Sequence, residues 1–255
     1  MRIHSTAVVS ATARLGPGVV LGPYSIVEDD VEIGEGTQIR AHAVVKRFTV
    51  LGNQNVVHEG AIIGGEPQDL SFDGSDSRLI IGDRNLIREN VTIHRASKPG
   101  AATIIGSDCF FMAGSHVAHD CRLGDRVILA NNVALAGHVH IDDRAFLSGG
   151  VVVHQFCRIG RIAMIGGNSK IVQDCLPFVT TDGAPGKACG LNLVGLRRSG
   201  IAAENIRVLK NAYRLLLRSG TSLEEALTAL AKLDNPLSSE MVGFIETSTR
   251  GFCRE

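Results

Sequence analysis

An aliphatic side chain returns at every sixth residue through the first two-thirds of the chain, and this spacing constrains the fold more tightly than anything else in it. Ile3, Val9, Leu15, Leu21, Val27, Ile33, Ile39, Val45, Leu51, Val57 and Ile63 form an unbroken series. The series resumes at Ile81, Ile87 and Ile93, and again from Ile105 through Phe111, Val117, Leu123, Leu129 and Leu135 to Ile171. Four places after each aliphatic stands a small or β-branched residue, as in Ala7, Ala13, Val19, Ser25, Val31, Thr37 and Ala43. A six-residue period predicts a hexapeptide parallel β-helix. Three hexads close a triangular coil of 18 residues with the aliphatic and the small residue pointing inward. Strands of successive coils pair at about 4.8 Å. No hexad can bury its apolar side alone, so stability comes from stacking neighbours.

Composition agrees with so thin a core: Trp is absent and aromatics are scarce. Cys109, Cys121, Cys157 and Cys175 all fall at the small inward position and read as buried hydrophobes rather than disulfides or metal ligands. That usage points to a reducing, cytoplasmic setting. Acidic and basic residues balance at 26 each, which gives no global case for nucleic acid or an anionic membrane. No apolar run approaches the roughly 18 residues of a membrane span, and the repeat starting at Ile3 leaves no signal segment.

The spacing predicts a β-helix from about Met1 to Leu176 with two excursions, residues 65–78 and 97–102. Pro177 to Gly190, rich in Pro, Gly and Thr, reads as a terminal linker, giving a first domain of 1–190. A small α-helical domain, 191–255, is expected to cap the open end. Its first helix is expected from about Ser199, with Ile201, Ile206, Leu209, Tyr213, Leu216 and Leu217 on one face and Gly220 as the stop. Thr221 with Glu224 reads as a capping box for a second helix, and a third is expected around Ser239 to Thr247.

Chemistry concentrates in the histidines His116, His119, His138 and His154. Phase puts His119 outward, and adding 18 and 36 gives Gly137 and Gln155, so the three share one column with His138 beside Gly137. An imidazole next to the Asp120 carboxylate, with a glycine backbone one coil above, suits a general base with a neighbouring N–H donor. Outward histidines also suit Zn²⁺, as in a trimeric hydrase, although Gly137 rather than histidine stacks on His119. A face that merely collected histidines, in a solenoid that only binds partners, is the third reading. Arg197, Arg198, Arg207, Lys210, Arg214 and Arg218 face only Glu204, a patch suited to an acidic protein, a phosphate or simply solvent.

Longer motifs carry a resemblance. Gly65-Glu66-Pro67-Gln68-Asp69-Leu70, Ile81 to Asn85, Ile87 to Arg95, His116 to Cys121, Leu129 to Asn132, Leu135 to Val139, Val153 to Phe156, Asn192 and Gly195 to Arg198 stand in an order that resembles the UDP-N-acetylglucosamine O-acyltransferases of lipid A biosynthesis. The resemblance covers the whole chain and implies a left-handed helix and a homotrimer. It implies transfer of a 3-hydroxyacyl group from acyl carrier protein to the sugar 3-hydroxyl, with no cofactor and no metal. His119 would be the general base, Asp120 its orienting partner and the Gly137 N–H the oxyanion donor. Asp69, His116, His138, His154 and Gln155 would line the substrate cleft, Asn192 and Arg198 would hold the nucleotide, and Gly167 would set acyl length by leaving the groove open. Ser71 stands where many members carry Lys, and Val194 where some carry Glu, so acceptor contacts depart from the family pattern; some relatives use a 3-amino sugar. The related N-acyltransferase has an extra N-terminal domain, for which a repeat starting at Ile3 leaves no room.

Overall fold

The computed structural model describes residues 1–218 and 220–254. Its first part is a three-sided parallel β-helix. Among the described residues, short strands form three sheets of 11, 9 and 8 strands, visited in rotation. Register shows the 18-residue coil directly: Ile3 pairs with Leu21 and Val9 with Val27. Where the first excursion leaves, the offset grows to 30, with Leu51 opposite Ile81. Where the second leaves, it is 24, with Ile81 opposite Ile105. The insertions therefore lengthen one coil each and leave the core in phase.

The predicted inward positions line the axis. Leu21, Val27, Ile39, Val45, Val57 and Ile87 are sealed from solvent, as are Val19, Val31 and Ala43 four places after earlier aliphatics. Ile3 stays exposed and Val9 and Leu15 half-buried, because no coil covers that end. Inward polar residues survive by laddering. The Asn85 side chain accepts from the Cys109 N–H and donates to the Gly106 carbonyl, while Asn55 accepts from the Asn85 N–H. Cys109, Cys121, Cys157 and Cys175 are buried free thiols; burial pushes Cys109 and Cys121 up to about 12, so both stay neutral.

The far end differs from the sequence expectation in several places. Pro177–Gly190 is not a linker: Val179–Asp182 continues the first sheet beside Met164–Ile165 and turns back antiparallel into Lys187–Leu191. A short helix, α1 (Leu193–Arg198), precedes the expected ones, with the Asn192 side chain accepting from the Gly195 N–H as its cap. Helix α2 (Ala203–Leu217) ends before Gly220, and α3 (Leu223–Ala231) is opened by a capping box of Ser222 and Glu225, one residue beyond the expected pair. In that frame Ala226 and Leu230 point into the cap. Helix α4 (Pro236–Glu246) starts three residues early, because Asn235 caps it and proline suits the first helical position. The four helices and the strand pair share a second apolar cluster around Leu176, Phe178, Leu209, Tyr213, Leu230, Met241 and Phe244.

Candidate active site

One edge of the prism collects the chemistry. His119, Gly137 and Gln155 lie at the corner between the second and third sheets, and both excursions leave from that corner. The second sheet pairs His116 with Ala134, and the His138 N–H donates to the His119 carbonyl, which fixes the predicted column. His119 is mostly buried, and its Nδ1 lies 2.8 Å from Asp120 Oδ2. A Cβ on Gly137 would sit 2.6 Å from His119 Cε1 and 2.7 Å from Nε2. The imidazole edge thus occupies the space that any side chain at 137 would need.

Asp120 has φ 60°, a left-handed turn conformation that aspartate tolerates better than most residues. Burial raises its carboxyl, but the Ser97 hydroxyl, the His119 ring and the Ser97 N–H outweigh burial and hold it below its ordinary value. It is therefore ionised at neutral pH and accepts a hydrogen bond from Nδ1 when that nitrogen carries the ring proton. The Gly137 N–H has no hydrogen-bond partner among the described residues. This contrasts with the neighbouring corner. There Asn53, Asp83, Asp125 and Asp143 side chains each accept from the backbone N–H one coil below, as in Ser107 N–H to Asp125 at 2.7 Å and Asp125 N–H to Asp143 at 2.9 Å. No such cap covers the Gly137 N–H among the described residues.

His138 lies edge-on to His119 at 5.4 Å between ring centroids and stacks on Phe156 at 4.7 Å. Its Nε2 is 3.7 Å from Asp120 Oδ2. His116 Nδ1 pairs with the Thr92 hydroxyl at 2.7 Å, and His94 meets His116 edge-on at 4.9 Å. Burial, then the neighbouring His116 and His119, pushes His94 down to about 4, and burial likewise lowers His116. Both are neutral at pH 7. Asp69, on the first excursion, accepts from the Ser71 N–H and hydroxyl, and those bonds lower its carboxyl. His154 and Gln155 are exposed one coil above Gly137.

The structure does not bring every expected residue to this edge. Gly167 is at the corner between the first and second sheets, across the second sheet from His119. A Cβ there meets only the Gly149 carbonyl at 3.4 Å and Ser148 Cβ at 3.9 Å, so the position opens outward. Asn192 and Arg198 line a cleft of about 640 Å³ with Arg126, Arg144, Phe146 and Met164. That cleft lies on the first sheet, the face opposite the His119 edge. Asn192 also uses its side chain structurally, donating to the Ile162 carbonyl at 2.9 Å besides capping α1. Thr92, His94, Ser97 and Phe156 fall within the quoted motifs or the second excursion but are not among the expected site residues, and the structure adds them to this edge. Subtracting the six inserted residues places Thr92 under His116, which is the signal in the sequence that finds it. His119, Asp120 and His138 place potential metal-ligand atoms within 4.8 Å of one another.

Comparison with known proteins bears on the whole chain. Residues 174–253 match the model of domain 2 of UDP-N-acetylglucosamine O-acyltransferase, and residues 12–47 and 102–137 match bacterial transferase hexapeptide repeats. The UDP-N-acetylglucosamine O-acyltransferase of Moraxella catarrhalis RH4 is 42% identical, with 100% of each chain covered and a TM-score of 0.97. The Francisella novicida UDP-N-acetylglucosamine acyltransferase is 36% identical over 99% of this chain and 94% of that one, with a TM-score of 0.96. The Arabidopsis UDP-N-acetylglucosamine acyltransferase is also 36% identical, over 99% and 100%, with a TM-score of 0.89. Identity at this level over the full length, excursions and helical cap included, means that the chain belongs to the UDP-N-acetylglucosamine O-acyltransferase family.

Proposed function

We propose that the chain moves a 3-hydroxyacyl group from the thioester of acyl carrier protein to the 3-hydroxyl of UDP-N-acetylglucosamine, the first step of lipid A biosynthesis. The observation that carries this reading is the His119–Asp120 pair at 2.8 Å beneath an unpartnered Gly137 N–H. His119 Nε2 takes the proton of the sugar hydroxyl as its oxygen attacks the thioester carbonyl. Asp120 holds Nδ1–H and stabilises the imidazolium. The Gly137 N–H receives the oxyanion of the tetrahedral intermediate. Collapse breaks the carbon–sulfur bond, and the departing thiolate takes the proton back from His119. Asp69, His116, His138, His154 and Gln155 line the acceptor and acyl path, and Arg198 meets the nucleotide phosphates with Asn192 beside it. The mechanism uses no metal or cofactor.

The nucleotide-holding cleft and the base lie on different faces, so a complete site needs a second copy, in line with a homotrimer whose clefts lie between prisms. The carrier's acidic surface suits the basic side of the cap, where Lys210, Arg214 and Arg218 line a pocket of about 320 Å³. Among the described residues no helix is long and apolar enough to cross a membrane. Gly167 leaves room for a long acyl chain. Gly167→Met should shift preference to shorter chains in competition among carrier proteins of different acyl length, and unchanged selection would remove Gly167 as the ruler.

A second reading, metal-assisted chemistry, rests on the clustering of His119, Asp120 and His138. One experiment separates the readings: mass spectrometry of products from UDP-N-acetylglucosamine or its 3-amino analogue with mixed 3-hydroxyacyl carrier proteins, with and without EDTA. The expected result is one acylated 3-hydroxyl sugar nucleotide, insensitive to EDTA and absent with His119→Ala. Loss of product with EDTA would favour the metal, and product only from the analogue would change the acceptor.

A further inference from the structure

The second excursion lies one coil below His119, at the same edge. It adds six residues to an 18-residue coil, since Ala102 pairs with Arg78 at an offset of 24. Its first residue, Ser97, is almost wholly buried and aims two donors at one atom: its N–H lies 3.1 Å and its hydroxyl 2.7 Å from Asp120 Oδ2. That is the oxygen that also meets His119 Nδ1. Where the excursion rejoins the sheet, the buried Thr103 hydroxyl accepts from the Asp120 N–H at 2.8 Å. The segment is itself fixed to the first excursion. The Ala96 N–H donates to the Arg78 carbonyl, the Gly100 N–H to the Asp76 carbonyl, and the Arg78 N–H to the Ala101 carbonyl.

A carboxylate at this corner has a rival partner, because His138 Nε2 stands 3.7 Å from the same oxygen. A regular four-residue corner would leave Asp120 free to swing between the two imidazoles. Two donors converging from below, and a bond on its own N–H, leave it one orientation. We propose that Ser97, assisted by Thr103, is a positioning residue that keeps Asp120 on His119, and that the second excursion serves to deliver it. This rests on the reading of His119 as the base.

Ser97→Ala removes one charge-assisted bond, and bonds of this class correspond to a loss of about ten- to a hundredfold. The loss should fall on kcat, with KM for sugar nucleotide and acyl carrier protein within about twofold, since Ser97 touches neither in this scheme. Ser97→Thr should restore the rate. On an Asp120→Asn background, Ser97→Ala should cost nothing more, because the residues act as one unit. Full activity in Ser97→Ala, or equal losses on both backgrounds, overturns the proposal. Ser97→Cys keeps the volume and the backbone donor but weakens the side-chain bond. It should show the same kcat loss even where alanine impairs folding, and a wild-type rate in it overturns the proposal as well. The downfield Nδ1–H proton resonance of His119 needs no substrate. It should be sharp in the wild type and broadened or lost in Ser97→Ala. An unchanged resonance sinks the positioning role, whereas absence of acyl transfer by the wild-type chain sinks the functional reading instead.

Discussion

At the scale of single residues, the site is decided by what is missing as much as by what is present. Gly137 has no side chain because the imidazole of His119 fills its place, with contacts of 2.6 and 2.7 Å to any Cβ. Gly137→Ala should push the ring off the Asp120 carboxylate while leaving the outward-facing corner free to fold. A displacement of this size costs about a hundredfold in turnover. Steady-state rates and thermal melting of the same sample check this; native turnover would show that the ring has slack. His94 gives a pH prediction. In the unfolded chain it takes a proton near 6.5, and in the folded one only near 4. The unfolded chain therefore binds more protons between those values, so its contribution to stability is full above pH 6.5 and is lost as pH falls toward 4. The span corresponds to about 3 kcal/mol at most. Urea unfolding at pH 7 and pH 5 should show the drop, and His94→Gln should flatten it; equal slopes for both proteins would assign the acid sensitivity elsewhere.

At the scale of elements, the hexad made the coil legible because its inward positions admit only a few shapes, and one misplaced charge would unstack two neighbours. The excursions were legible as interruptions, and their shared edge follows once each strand is assigned to a sheet. What escaped reading did so because local composition competed with tertiary context. Val179, Thr180 and Thr181 are good strand formers, but the Pro and Gly around them suggested a linker; the edge of the first sheet at Met164–Ile165 supplied the missing partner. Ser222–Glu225 and Thr221–Glu224 carry equivalent capping signals, and only the packing of Ala226 and Leu230 chooses between them. Ile162 was unreadable in a different way. A β-branched residue at φ 56° is costly, and it is held there because its side chain belongs to the floor of the helical cap. The first excursion has its own anchor. Arg95 is 2% exposed, bonds Glu66 and the Ser75 carbonyl, and lies over Phe48 and Phe72. Arg95→Met should cost about 1.5–3 kcal/mol and speed proteolytic cutting between Gly65 and Arg78. Cutting at the wild-type rate would show that the aromatic contacts alone hold the segment.

At the scale of the whole molecule, the proposed function divides its site between two places on one prism that cannot meet. His119 stands on one edge, and Arg198 lines a cleft on the sheet across the core from it. A rigid stack of hydrogen-bonded coils cannot fold one onto the other, so in this scheme each working site joins the edge of one copy to the face of another. Closed rotational symmetry then gives every copy both roles. The arrangement has a consequence that a self-contained site does not share. His119→Ala and Arg198→Ala proteins should each be nearly inactive alone. Unfolded and refolded together in equal amounts, they should regain about a quarter of native turnover, because one interface in four then pairs an intact His119 with an intact Arg198. Mixing the folded proteins without exchange of copies should restore nothing, which controls for activity in trans. If co-refolding also restores nothing while mixed oligomers form, both residues serve the same copy's site, and the cleft around Arg198 has another use.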